Sequence, residues 1–263
     1  MGHDKLRKFA ENETFRCLIQ PSSEELLADG YFSLRDHSNK GNWNAFFSRS
    51  GSPIVLELGC GKGEYTIDLA LRDPSKNYIG VDIKGARLWK GAKYAEQNSL
   101  ANVAFLRTRI EFITAFFAPG EVDEIWLTFS DPQMKSENSR LTSPLFIERY
   151  RKFLKPGGTV RLKTDSRFLH EYTKAVCAVN GFEVLSCTDD LYGGPADDGL
   201  EPAVREVRTF YEKMSLKQGF KITYMAFRID SDGPVIRPSD PEDFDSLHWR
   251  SLEEPRHFFG QAD

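Results

Sequence analysis

An α/β fold, built on a sheet of seven mostly parallel strands with the last strand antiparallel, is predicted by three features of the 263-residue sequence. From residue 53, short apolar runs alternate with amphipathic stretches of helical period, the pattern of parallel strands joined by crossover helices. The first run, Ile54–Leu58, enters a glycine-spaced turn, Gly59-Cys60-Gly61-Lys62-Gly63, and helical residues follow from Glu64. The second, Tyr78–Val81, ends in an acid, Asp82.

Each element follows from its local pattern. Residues 1–50 have weak periodicity and aromatics at Phe9, Phe15, Tyr31, Phe32, Trp43, Phe46 and Phe47, and read as an N-terminal arm packed on the main domain. Residues 51–230 form that domain. Strand one spans 54–58 and strand two about 77–81. A helix over 84–98 buries Leu88, Ala92 and Ala95, with Trp89 at its margin. Val103–Leu106 is the third strand and 111–117 a short helix. The fourth strand, 124–129, ends at Ser130-Asp131-Pro132, and a polar loop covers 133–140. A helix through 146–154 stops at Lys155-Pro156-Gly157-Gly158, and strand five follows at 159–163. A helix near 166–179 precedes strand six, 182–187. Residues 188–208 are rich in Gly, Pro and acids and read as a long loop, a kind that is usually functional or disordered. The last strand spans 220–229. Residues 231–263 are a polar, proline-containing tail of poor expected order.

Composition narrows the class. Apolar residues make up 40% and charged residues 28%, ordinary for a globular protein. No apolar run reaches membrane-spanning length, and the charged start is no signal peptide, so a cytoplasmic protein without membrane contact is expected. Cys17, Cys60, Cys177 and Cys187 are scattered and form no metal-type pairs, so no metal is expected. A net charge of −4 argues against a general nucleic-acid coat and leaves room for a local basic patch. Lys5, Arg7 and Lys8, and Lys84, Arg87, Lys90 and Lys93, are its candidates; a solvated face is the commoner use of such residues.

The glycine turn points to chemistry. Glycine reaches positive φ without strain and lets a ligand approach the backbone closely. The helix after it presents unpaired N–H groups and a partial positive charge. An acid closing strand two can accept both ribose hydroxyls of a nucleoside cofactor. In such sheets ligands sit beyond the C-terminal strand ends, so Glu57, Gly59, Gly61, Gly63, Asp82, the stretch 107–110 and Asp131 converge on one crevice. The strand order, with a long connection before the final strand, indicates a Rossmann-like, S-adenosylmethionine-dependent methyltransferase fold. Asp131 would then lie nearest the reacting methyl, either capping the turn before Pro132 or holding a polar substrate edge. Asp165 either N-caps the helix after it or belongs to the reactive rim. Thr209–Glu212 reads locally as a capped helix start.

From about Trp43 to Ile229 the chain resembles the bacterial tRNA (guanine-N7-)-methyltransferase family. The matching blocks are Val55–Gly63 (VLELGCGKG), Phe129–Pro132 (FSDP), Arg140–Thr142 (RLT), Lys163–Arg167 (KTDSR) and Thr209–Glu212 (TFYE). Their order and separation are more specific than any one of them. The resemblance implies methyl transfer from S-adenosylmethionine to N7 of guanosine at position 46, in the tRNA variable loop. It assigns Glu57, Asp82, Arg109 and Asp131 to the cofactor, with Gly59, Gly61 and Gly63 forming the turn. It makes Asp131 catalytic and gives Lys135, Asp165, Thr209, Phe210, Tyr211 and Glu212 to the tRNA guanosine. The expected partner is tRNA, and the expected state a monomer or homodimer.

The chain departs from the family at two places. Where members usually show Asp-Pro-Trp-Pro-Lys and a basic run, it reads Asp131-Pro132-Gln133-Met134-Lys135, which predicts weaker tRNA affinity and a flatter salt dependence. Arg109 stands where an acid or amide is usual and cannot accept a hydrogen bond from the adenine amine. These departures define the alternative: a degenerate S-adenosylmethionine-binding paralogue that needs a partner or acts on another RNA or amine. Amine methyltransferases often carry an aromatic after this proline, where the chain has Gln133 and Met134.

Overall fold

The structure is a computed structural model and describes residues 2–30, 33–49, 51–194 and 199–238, together with Phe244 and Trp249. Tyr31 and Phe32 of the arm, residues 195–198 of the long connection and most of the tail lie outside the described residues.

The arm contributes α1 (Gly2–Asn12), a two-residue strand β1 (Leu18–Ile19), and the short helices α2 (Ser23–Leu26) and α3 (Trp43–Phe46). The main body runs β2 (Ile54–Leu58), α4 (Glu64–Arg72), β3 (Asn77–Asp82), α5 (Gly85–Gln97), β4 (Val103–Arg107), a 3-10 helix (Ile110–Ala115) and β5 (Val122–Thr128). A second 3-10 turn (Glu137–Ser139), α6 (Pro144–Tyr150), β6 (Leu154–Thr164), α7 (Arg167–Asn180) and β7 (Val184–Thr188) follow. The connection then carries α8 (Pro202–Glu206) and α9 (Phe210–Lys217) before β8 (Thr223–Arg228).

The sheet order is β1-β4-β3-β2-β5-β6-β8-β7. All neighbours pair in parallel except β8, which is antiparallel to both β6 and β7. The described strands number eight, not the predicted seven. The additional one is β1, where Leu18 and Ile19 register with Phe105 and Leu106 at the sheet edge. Two residues hold no period of their own, so only a partner far along the chain makes them a strand.

β2 and β3 are buried along their whole length, as strands covered on both faces must be. One core cluster joins Leu56, Ile79, Ile125 and Leu162 to Trp43 and Phe117; the other joins Val55, Phe105 and Trp126 to Leu88 and Ala92. Trp43 stacks on Phe117 at 5.4 Å between centroids and donates its indole N–H to the Phe116 carbonyl. α1 lies over α5, where Asn12 donates to the Gly85 carbonyl and Trp89 donates to Glu11. The candidate basic residues of these two helices are largely paired there: Arg7 and Lys8 with Asp4, and Lys93 with Glu11.

In the connection expected as a loop over 188–208, the described residues are packed, with Leu191, Val204 and Val207 buried against the second cluster. The start of the tail is likewise held, with Val235 N–H donating to Glu148 and Ile236 N–H to Asn180.

Candidate active site

The order of the strands reverses between β2 and β5, which opens a crevice at their C-terminal ends. Glu57, one residue before the end of β2, spans this switch point. Its Oε2 accepts from the Thr66 N–H at 2.8 Å and from the Thr66 hydroxyl at 2.5 Å, and its Oε1 accepts from the Thr128 hydroxyl of β5 at 2.5 Å. Thr66 is the third residue of α4, whose N-cap is Gly63 and has no side chain. Glu57 therefore caps α4 from the strand beside it. Burial pushes its carboxyl up to about 7, against the three hydrogen bonds that favour the charged form.

Gly59, Gly61 and Gly63 have φ of +82°, +58° and +72°, a region glycine alone enters cheaply. They do different things. A Cβ on Gly59 or Gly61 would meet no atom within 4 Å, so this backbone is bare toward the crevice. A Cβ on Gly63 would lie 2.5 Å from the Phe105 ring, and Cβ additions at Gly80 and Gly91 would strike the same ring. Asp82 locks the turn: Oδ2 accepts from Gly61 N–H at 3.0 Å and Oδ1 from Lys84 N–H at 2.7 Å.

At the end of β5, Phe129 and Gln133 both sit at positive φ, +49° and +47°. Two left-handed residues that are not glycine, bracketing Ser130-Asp131-Pro132, mark a strained turn of the kind found at functional sites. Asp131 is exposed, and its Oδ1 accepts from Gln133 N–H at 2.9 Å in an Asx turn. Its Oδ2 has no hydrogen bond among the described residues. The Ser130 hydroxyl beside it is buried and unpartnered.

Arg140 shapes the loop that follows. Its guanidinium donates to the carbonyls of Pro132, Gln133 and Met134 at 3.3, 3.2 and 3.0 Å, and lies 4.6 Å and 4.4 Å from the ring centres of Phe168 and Tyr172. It is buried, so it positions backbone and does not face solvent as a phosphate contact. Lys135 is exposed on the same loop.

Asp165 follows the end of β6, beside β5, where Thr128 registers with Lys163. The N-cap of α7 is Ser166, whose side chain accepts from Leu169 N–H at 3.2 Å. Asp165 instead accepts from the Ser215 hydroxyl of α9 at 2.7 Å.

The 209–212 segment divides. Thr209 caps α9 by accepting from Glu212 N–H at 3.1 Å. Phe210 and Tyr211 are exposed, with rings 5.9 Å apart, and Phe210 N–H donates to Glu64 at 2.9 Å, which docks α9 beside the glycine turn. Glu212 points inward. It is fully buried, 2.8 Å from the Lys163 ammonium, and also accepts from the Tyr192 hydroxyl at 2.5 Å. Burial pulls Lys163 down to about 8, opposed by Glu212. Arg109 is exposed, with its guanidinium 5.8 Å from the Phe112 ring centre. Sequence reasoning missed Thr66 and Thr128 as partners of Glu57. It placed Lys163 in the KTDSR block without a role of its own, and its pairing with Glu212 depends on a residue 49 positions away.

A parallel sheet whose order reverses between β2 and β5, closed by β8 running antiparallel between β6 and β7, is that of a Rossmann-like methyltransferase. A methyltransferase family model, Methyltransf_4, matches residues 51–222. The tRNA (guanine-N(7)-)-methyltransferase of Christiangramia forsetii is 49% identical over 228 residues, covering 86% of this chain and 98% of its own. That of Porphyromonas gingivalis is 50% identical over 231 residues, covering 88% and 91%. Among solved structures, the 16S rRNA methyltransferase KamB superposes with a TM-score of 0.55 at 16% identity, over 75% of this chain and 96% of that one. An antibiotic-related methyltransferase does so with 0.52 at 20%, over 73% and 94%. At those identities the likeness is one of fold. The chain belongs to the tRNA (guanine-N(7)-)-methyltransferase family.

Proposed function

We propose that this protein transfers a methyl group from S-adenosylmethionine to N7 of a tRNA guanosine, at position 46 of the variable loop, in the cytoplasm. The observation that carries the reading is the exposed Asp131, held on a strained turn at the switch point with Oδ2 open. The relatives' shared name supplies the substrate.

The residues of the crevice fit the proposed donor. Gly59 and Gly61 leave room against bare backbone, Asp82 stands where a ribose would be gripped, and the Ser130 hydroxyl is buried without a partner. Glu57 supports this site from beneath by fixing α4 and β5. When bound, S-adenosylmethionine supplies an electrophilic methyl, which the N7 lone pair takes as the carbon–sulfur bond breaks, leaving a thioether and a cationic 7-methylguanosine.

Guanine N7 has no proton to lose, so the protein needs no strong general base. Its work is placement and stabilisation of the positive charge that moves to the base. Asp131 and Asp165, at adjacent strand ends, offer carboxylates to the N1–H and exocyclic amine of guanine. Phe210 and Tyr211 offer exposed rings for stacking, and Lys135 a cation for phosphate. Arg109 remains a candidate cofactor contact only through its guanidinium plane.

The test is incubation of the full chain with S-adenosylmethionine and tRNA lacking 7-methylguanosine, followed by nucleoside mass spectrometry. New 7-methylguanosine supports the assignment. A methylated adenosine or cytidine in its place would overturn it.

A further inference from the structure

Outside the crevice, three side chains of metal-ligating type meet at the edge of the sheet. His170, in the first turn of α7, is fully enclosed, yet its Nδ1 has no hydrogen-bond partner. That nitrogen faces Asp189 Oδ1 at 3.4 Å and Glu171 Oε1 at 3.9 Å. The Cys187 thiol, at the end of β7, lies 3.6 Å from Nε2, on the other side of the ring. Donor atoms of His170, Cys187 and Asp189 lie within 4.8 Å of one another.

These separations are long for hydrogen bonds. The Nδ1–Asp189 separation matches the spacing that two ligands of one tetrahedral ion keep, about 3.3–3.6 Å for metal–N and metal–O bonds of about 2.1 Å and metal–S of about 2.3 Å. We propose that His170, Cys187 and Asp189 form a zinc-type metal site. Thiolate, imidazole and carboxylate together favour a borderline-soft divalent ion. Nδ1 is the nitrogen available to it, because it is buried without a hydrogen-bond partner and faces the Asp189 carboxylate. Cys187 and Asp189 are exposed, so a side-chain rotation closes the remaining distance. Glu171 or water completes the shell. Glu171, Lys174 and Cys187 also line an open groove that adjoins the cluster.

Lys174 is the competing cation, 3.2 Å from Glu171 and 3.9 Å from Asp189. An entering ion displaces it and releases the thiol proton of Cys187 to solvent. Occupancy would staple the root of the connection that carries α9 to α7. The site departs from the metal-free protein that the cysteine spacing predicts.

The experiment uses the untagged full chain, reduced and stripped with a chelator, titrated with Zn²⁺ against a chromophoric competitor and separately with Co²⁺. One ion per chain is expected, with a thiolate-to-cobalt charge-transfer band. Cys187→Ala and Asp189→Ala should each weaken Zn²⁺ affinity by at least about tenfold, and Lys174→Gln should strengthen it. Cys17, Cys60 and Cys177 are buried, so a charge-transfer band that survives Cys187→Ala overturns the site. So does Zn²⁺ affinity unchanged in either alanine variant, or no binding by the parent chain. Methyl transfer is not read, so the outcome is independent of the proposed reaction.

Discussion

Lys163 Nζ and Glu212 Oε1 stand 2.8 Å apart, and neither side chain is exposed to solvent. The pair joins the end of β6 to the first turn of α9, with Tyr192 bonded to the same oxygen and the Val207 carbonyl to the ammonium. Removing one partner leaves the other charge buried, which costs about 3–5 kcal/mol, whereas replacing both by apolar groups restores much of the loss. Lys163→Met should therefore lower unfolding stability by that amount in urea titrations. Lys163→Met with Glu212→Leu should recover more than half. A single variant costing under about 1 kcal/mol would show the pair is not closed.

The raised carboxyl of Glu57 makes stability depend on pH. Between its ordinary 4.5 and about 7, the folded protein holds a proton on Glu57 that the unfolded chain has lost. The stabilising contribution is full below 4.5 and is lost as pH rises toward 7, a change of about 3 kcal/mol at about 1.4 kcal/mol per pH unit. Glu57→Gln cannot titrate. The stability difference between parent and variant, from urea titrations at pH 4.5 and 7.5, should shift by a few kcal/mol in favour of the variant at the higher pH.

The glycines separate by consequence. Gly61→Ala is strained at φ +58° yet collides with nothing, so stability should fall by about 1 kcal/mol. Its cofactor affinity should fall about tenfold or more by calorimetry with S-adenosylhomocysteine, because the methyl fills the bare backbone. Gly63→Ala drives a methyl into Phe105, so stability should fall by about 2–4 kcal/mol. Phe105→Leu should recover part of that second loss.

Arg140 acts on the loop through three carbonyls and two rings. Arg140→Ala should reduce methyl transfer about tenfold to a hundredfold while S-adenosylhomocysteine affinity stays within about twofold. Arg140→Lys should not rescue it, since an ammonium has neither the fork nor the plane. Steady-state kinetics and calorimetry on the three proteins decide this.

Much of this was legible because it is local. The apolar run, glycine turn and helix of residues 54–72 are contiguous, and Asp82 and Asp131 announce themselves at strand ends. What stayed hidden depends on partners distant in sequence. β1 exists only because Leu18 finds Phe105. Glu212 reads as a capping acid on an exposed helix start, and only the approach of Lys163 shows that it faces inward. Arg140 reads as the start of the RLT block, and its contacts with Phe168 and Tyr172 come from a helix about thirty residues on. Ser166 and Asp165 compete for one cap, and Ser215, fifty residues on, draws Asp165 away.

Methyl transfer to a single tRNA transcript, and to the same transcript with its variable-loop guanosine changed to adenosine, tests the assignment of guanosine N7. Label is expected on the first and none on the second, mapped by cleavage at 7-methylguanosine, with transfer lost in Asp131→Ala. Equal labelling of both transcripts, or full transfer by Asp131→Ala, would contradict it.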